Sequence, residues 1–316
     1  MFFIERLLSA ARLLNEMAVG YSIICINTSR PIYLVFGERS DHPLYVVRKI
    51  ADAHGLESSR IDRHIYKLAG DLVPEPLGIY ELGSESYDVQ RGVKGSPWFQ
   101  LKSKIRTEKA RAQIEKRMWQ ALRDFQKVVL PAETNCESSL QPQVELLKAF
   151  SDYQNNGGKI TEDLLAVIEK AVDEFSLTPR CPSIPQHGDF CLNNLIIDTD
   201  HITVIDFEDF SITHMPMYDA FTLALTLPSF SDDPENAANV INQPAVIATA
   251  HDLGIPEDAV RWHFLHHLLL RLGSWSAGEK RSRYREWLNR VLQSFINKDI
   301  KNLSATHSSS DVLQQF

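Results

Sequence analysis

The hydrophobic pattern turns from mostly strand-like to mostly helical near Lys94, and that change limits the fold more than any other feature. Before it, YSIICI (21–26), IYLVFG (32–37) and LYVVRKI (44–50) are β-branched and aromatic runs, separated by turn residues at 27–31 and 38–43. A helical segment, ESSRIDRHIYKLA (57–69), is predicted to end at Gly70, and GIYEL (78–82) and SYDVQRGV (86–93) flank a Gly-Ser turn. These pieces make a small mixed sheet with one helix. Beyond Lys94 the spacing is helical. Residues 105–130 place Ile114, Met118, Leu122, Phe125 and Val129 on one stripe, and 161–175 open with Thr161 as N-cap before Leu164, Leu165, Ile168, Val172 and Phe175. Segments 258–272 and 283–296 read as helices too. The start, MFFIERLLSAARLL, repeats Phe3, Leu7, Ala11 and Leu14 at helical spacing. The serine-rich stretch 301–316 is polar and predicts a frayed or disordered tail. The expected fold class is α+β: a β-rich part over 1–93 with a leading helix, a larger mainly helical part over 94–300, and room for a cleft between two lobes.

Composition narrows the function classes. A net charge of −8 gives no electrostatic case for binding nucleic acid or an anionic membrane. The basic run Lys280, Arg281, Arg283 and Arg285 reads as a solvated helix face. No span approaches the ~20 apolar residues of a transmembrane helix. Glu5 and Arg6 interrupt the first apolar run, so no signal peptide is expected. The cysteines at 25, 136, 181 and 191 form no CxxC pair or zinc spacing and read as reduced thiols of a cytoplasmic protein. His263 and His267 share a helix face, but two imidazoles do not complete a metal site, so His263, His266 and His267 read as core.

One short stretch carries chemistry: HGDFCLNNLIID (187–198), followed by TVIDFEDF (203–210). Charged and amide groups sit badly beside the runs LII and TVI, because burying them unpaired costs about 1–3 kcal/mol each. If 195–197 and 203–205 pair as a hairpin, Asn194 and Asp206 become neighbours. An amide oxygen and a carboxylate converging there suit a hard cation such as Mg²⁺, which takes one or two protein groups plus phosphate oxygens. Asp189, in the same loop, is placed to orient or deprotonate a substrate hydroxyl.

The spacing of His187, Gly188, Asp189 and Asn194, followed by Ile205, Asp206, Phe207 and Glu208 and then by Pro216 and Asp219, resembles the aminoglycoside phosphotransferase and choline kinase-like family, relatives of the protein kinases. The resemblance implies a protein-kinase-like two-lobed fold, with a nucleotide-binding lobe over 1–93 and the catalytic loop and substrate site in 94–300. It implies transfer of the γ-phosphate of ATP or GTP, with Mg²⁺, to a hydroxyl of a small molecule. Asp189 is then the catalytic residue, and Asn194 and Asp206 hold the metal. Glu208 is a further metal ligand or a charge in the cleft. His187 holds the loop shape, and Asp219 caps or braces a helix. A kinase-like lobe needs a lysine on its third strand; Lys49 is the first choice, with Val47 over the adenine, and Arg48 the second. The helix acid paired with it is Glu57 or Asp62. The connector 89–93, with Gln90 and Val93, passes the adenine edge.

Two departures from the family pattern matter. No GxGxxG loop covers the phosphates; Thr28 and Ser29 in the turn 27–31 take that place. Gly188 stands where regulated protein kinases carry Arg, which favours a small-molecule acceptor over a protein. Carboxylates at Glu208, Asp209, Asp232, Asp233 and Glu235 are compatible with a cationic acceptor. The rival reading is a catalytically silent kinase-fold protein that binds a nucleotide or a partner.

Overall fold

The computed structural model describes residues 2–13, 20–27, 31–130, 140–177, 181–230 and 232–312. Their packing forms two compact units, one from residues within 1–130 and 187–212, the other from residues within 131–186 and 213–316. The division by packing thus differs from the change of period at Lys94. Segments 94–130 and 187–212 belong to the same unit as the strands, and Phe125 of the one packs against His187, Phe190, Phe207 and Phe210 of the other. Among the described residues no helix is long and apolar enough to cross a membrane.

The first unit opens with α1 (Phe2–Ala10), then β1 (Tyr21–Asn27), β2 (Ile32–Gly37) and β3 (Tyr45–Ile50). Helix α2 (Ala53–Ala69) starts four residues before the predicted segment, because Asp52 caps it through the Gly55 N–H at 2.8 Å. It stops at Gly70, whose φ of 52° suits glycine. Strands β4 (Pro76–Leu82) and β5 (Glu85–Arg91) complete a five-stranded antiparallel sheet of order β1-β2-β3-β5-β4. Then come β6 (Ser96–Pro97), the short α3 (Trp98–Leu101) and α4 (Glu108–Val129), which buries Met118, Leu122 and Phe125 on its apolar stripe.

In the second unit, α5 (Pro142–Asn155) and α6 (Glu162–Leu177) come first, with Thr161 Oγ1 accepting from the Leu164 N–H at 3.2 Å. The chain then returns to the first unit as a hairpin of β7 (Leu195–Ile197) and β8 (Ile202–Val204), and β6 adds a third strand to it. Helices α7 (Tyr218–Thr226), α8 (Pro234–Ala237), α9 (Pro244–Asp252), α10 (Val260–Leu272) and α11 (Ser282–Val312) finish the second unit. The backbone of the predicted tail is helical as far as Val312: adding a residue to an existing helix avoids the cost of a new nucleus. Helix α10 lies in the core, with Trp262, Phe264, Leu265, Leu268 and Leu272 all at 0% exposure. His263, His266 and His267 are buried among them, and burial pushes the first two imidazoles down to about 3 and the third well below its ordinary value.

Candidate active site

The site is built on two faces of one sheet. Tyr45, Val47 and Lys49 point to one face, where Tyr45 and Val47 join Val35, Tyr87 and Val89 beneath Ile4, Leu7 and Leu8 of α1. Val47 is fully buried there and therefore does not cover a ligand, contrary to the expectation from sequence. The Lys49 ammonium, on the same phase, is paired with Glu85 and is partly open to solvent.

The opposite face carries the chemistry. Ile24, Leu34, Val46 and Gln90 stand opposite one another in register, as do Ile32, Arg48 and Asp88. Arg48 Nη2 pairs with Asp62 of α2 and, at 2.5 Å, with Asp88 Oδ2 of β5. Gln90 Nε2 donates to Asp62 at 2.8 Å, and Arg63 Nη2 reaches Asp88 Oδ1 at 3.2 Å. Burial alone would favour a neutral guanidinium, but Asp62 and Asp88 hold Arg48 firmly charged. Its Nε and Nη1 have no protein partner among the described residues. Of the two acids singled out on this helix, Asp62 pairs with Arg48 rather than with Lys49, whereas Glu57 is exposed and pairs with Arg60.

The HGD loop is held by its own residues. His187 is fully buried; its Nε2 lies 3.1 Å from the Ile205 carbonyl and its Nδ1 accepts from the Asp189 N–H at 3.2 Å. The ring also packs 4.7 Å from Phe207, within a cluster that includes Phe125, Phe190 and Phe210. Gly188 has φ 86°, and a Cβ there would stand 2.2 Å from the Asp209 carbonyl oxygen. Glycine is required by both strain and space. Asn194 donates from Nδ2 to the Asp189 carbonyl at 2.9 Å and to Asp189 Oδ2 at 3.2 Å. The Ile205 N–H donates to the Asn194 carbonyl at 3.0 Å, so the hairpin sets Asn194 beside the start of the Asp206 loop.

Asp206 is in the left-handed region, with φ 68°. Such a conformation in a non-glycine residue costs about 1–3 kcal/mol and persists where the surroundings hold it. Asp206 is an exposed residue, yet where it lines a recess with Arg48, Asp62, Gln90, Ile205 and Phe207 protein replaces part of its water. That burial, and then the charges of Glu208 and Asp189, push it up to about 6 against the pull of Arg48. Among the described residues, none donates a hydrogen bond to this carboxylate. A carboxylate crowded by acids and lacking donors, with the Asn194 amide nearby, fits a hard divalent cation. No three His, Cys, Asp or Glu side chains among the described residues form a complete metal cage, so such a cation would need ligand oxygens from a substrate.

Of the residues singled out from sequence, Asp189, Asn194, Asp206 and Glu208 come together; Lys49 lines one recess with Arg48 and Glu208, but its ammonium is paired with Glu85 on the other face of the sheet. Arg48, the second choice from sequence, is the cation whose charge acts on Asp206. LYVVRKI is apolar in both phases, with Val46 and Val47 adjacent, so alternation leaves the inward phase undecided; α1 decides it by covering the Val47 face. Gln90 is present through its buried side chain rather than as part of an open connector. Val93, just beyond β5, makes no backbone hydrogen bond among the described residues. Thr28 and Ser29 lie outside the described residues. Asp219 is fully buried in the first turn of α7, where its N–H donates to Gln186 Oε1 at 3.0 Å. Asp88 was missed. Its one signal in the sequence is a carboxylate in the middle of a strand-like run.

A small antiparallel sheet with a charged cation–acid pair, joined to an HGD loop and a hairpin-borne Asp, defines a kinase-like phosphoryl-transfer fold. Residues 31–244 match the model of the phosphotransferase enzyme family, and the chain belongs to that family. Similar folds include the GDP and kanamycin complex of APH(2")-IIia, at 14% identity over 93% of this chain and 99% of that one, with a TM-score of 0.55. The macrolide 2'-phosphotransferase MphH from Brachybacterium faecium is 14% identical, over 91% of this chain and 98% of that one, with a TM-score of 0.54. No curated protein matches the sequence significantly.

Proposed function

We propose that this protein transfers the terminal phosphoryl group of ATP or GTP, with Mg²⁺, to a hydroxyl group of a small molecule. The observation that carries the reading is the set of unshared groups around one loop. Among the described residues Asp206 lacks donors and is crowded by acids, while Nε and Nη1 of Arg48, whose charge acts on Asp206, have no protein partner. Asp206 calls for a cation, and the unused Nε and Nη1 donors of Arg48 suit phosphate oxygens; a metal–nucleotide complex supplies both. Ile24, Leu34 and Val46 offer an apolar surface on the Arg48 face, and Ile24 is 51% exposed. A purine base would find apolar contact on that surface, and the backbone groups of Val93, beyond the end of β5, are offered for its edge.

Asn194 and Asp206 would hold the Mg²⁺, with Glu208 near it; the ion would neutralise charge on the phosphate oxygens. Asp189 accepts the proton of the acceptor hydroxyl as its oxygen bonds to phosphorus and the bond to the nucleoside diphosphate breaks. Asn194 fixes the Asp189 carboxylate for that task through its Nδ2. Arg48 stabilises charge on the phosphates. Glu208 and Asp209 favour an acceptor carrying a positive charge, such as an amino sugar or amino alcohol.

A thermal-shift titration with ATP and GTP tests this, with and without Mg²⁺, on wild type and Asp206→Ala. Metal-dependent stabilisation should appear in wild type and vanish in the variant. Metal-dependent stabilisation in wild type should also weaken as pH falls below about 6, since protonated Asp206 cannot hold the cation. Asp189→Ala should retain the nucleotide shift yet lose turnover in a screen of hydroxylated acceptors. No shift with either nucleotide at millimolar concentration would remove the reading.

A further inference from the structure

Asp88 is 1% exposed in the middle of β5, where an unpaired carboxylate would be costly, and the mechanism above gives it no task. We infer that Asp88 is the principal positioning residue for Arg48, ahead of the helix acid Asp62; the inference rests on the assignment of Arg48 to the nucleotide phosphates. The argument is one of rigidity. Arg48 and Asp88 are directly opposite in neighbouring strands, so the main-chain ladder itself fixes the separation of their Cα atoms. Asp62 reaches the same Nη2 from a helix, and its Oδ2 is shared with Gln90. Asp88 offers Oδ2 to Arg48 and keeps its other oxygen occupied by Arg63.

A single guanidinium nitrogen therefore bridges both carboxylates, and the remaining donors are left aimed by a sheet-borne anchor. A displacement of α2 removes the Asp62 contact but leaves the cross-strand pair intact. The arrangement accounts for a buried acid in β5, and for Arg in place of Lys at this position. The several donors of a guanidinium can engage two anchors and a phosphate together, whereas an ammonium acts as a point charge.

The test is calorimetric titration of Mg-ATP and Mg-GTP into the full-length wild type, Asp88→Asn, Asp62→Asn and Asp88→Glu. Asp88→Asn should fold, because Arg48 keeps Asp62 and the Arg63 side chain is 30% exposed and can reach water. Its Kd should rise about tenfold or more at unchanged stoichiometry, since a misaimed charge is costly in a pre-organised site. Asp62→Asn should weaken binding less, and Asp88→Glu should recover part of the loss by restoring the carboxylate. A wild-type Kd in Asp88→Asn, or a lower stoichiometry at unchanged Kd, assigns Asp88 a merely structural role and overturns the inference. So does a larger loss in Asp62→Asn. Absence of binding by wild type overturns the nucleotide assignment itself, a result separate from either.

Discussion

Two buried polar clusters in this protein solve the same problem in opposite ways. Around Arg48, two guanidinium groups and two carboxylates lie on and beside the sheet, each charge paired and Gln90 closing the network. Along α10, three imidazoles are packed among aromatic rings, and the Nδ1 atoms of His263 and His266 have no partner among the described residues. The first cluster keeps its charge because the charges answer one another. The second is neutral because nothing answers it, and desolvation forces the protons off. Charge that is retained inside a fold has to be fixed in place by partners, and it is then available to a ligand. Neutral polar groups are tolerated as packing, and their cost appears only when pH changes.

The hardest test of this contrast is Arg48→Met. It leaves Asp62 and Asp88 without their shared cation, and removing one partner of a buried pair costs about 3–5 kcal/mol. Arg63 still meets one oxygen of Asp88, so urea denaturation should show a loss near the lower figure, together with loss of nucleotide binding. A stability near wild type would mean the charges are not answering one another as the geometry implies.

Lowering the pH tests the other cluster. The folded pKa values of His263 and His266 lie near 3 and that of His267 well below the ordinary 6.5, so the unfolded chain binds more protons on the acid side. Their contribution is intact above pH 6.5 and is lost as pH falls from 6.5 toward 3. The slope is on the order of 1 kcal/mol per pH unit for each imidazole. His263→Leu should flatten that slope while changing stability little at pH 7.5, because no hydrogen bond to Nδ1 is lost. An unchanged slope between pH 6 and 4.5 would show that the imidazole is not buried and neutral.

Lys49→Ala should have the smallest effect. Its pair with Glu85 is partly exposed, and such pairs contribute little. Melting temperature and nucleotide affinity should both stay close to wild type. A large loss of affinity would return Lys49 to the phosphate site and undo the contrast between the two phases of β3.

Much of the catalytic loop was legible because its logic is local. His187 to Asp206 spans one loop and one hairpin, so spacing alone brings Asp189, Asn194 and Asp206 together, and backbone pairing of Leu195 with Val204 achieves it. Gly188 was legible as a departure from a pattern, but its reason, the Asp209 carbonyl against its Cα, was not. The change of period at Lys94 marked where strands give way to helices. Packing nevertheless joins α4 and the hairpin to the sheet unit, since periodicity reports which face is apolar and not what covers it.

The sequence by itself determined the fold class, the sheet-forming runs and the acid–amide–acid constellation, because strand alternation, helix period and hairpin distance are all short-range. Only the tertiary structure decided that Arg48 rather than Lys49 faces the site, and that Asp62 and Asp88 hold it. Alternation sorts β3 into two sides, but the choice of the inward side belongs to α1, more than thirty residues earlier in the chain. The partner of Arg48 depends on the register of β3 against β5, which pairs it with a residue forty positions away. Contacts of that separation are set by packing, and no local pattern encodes them.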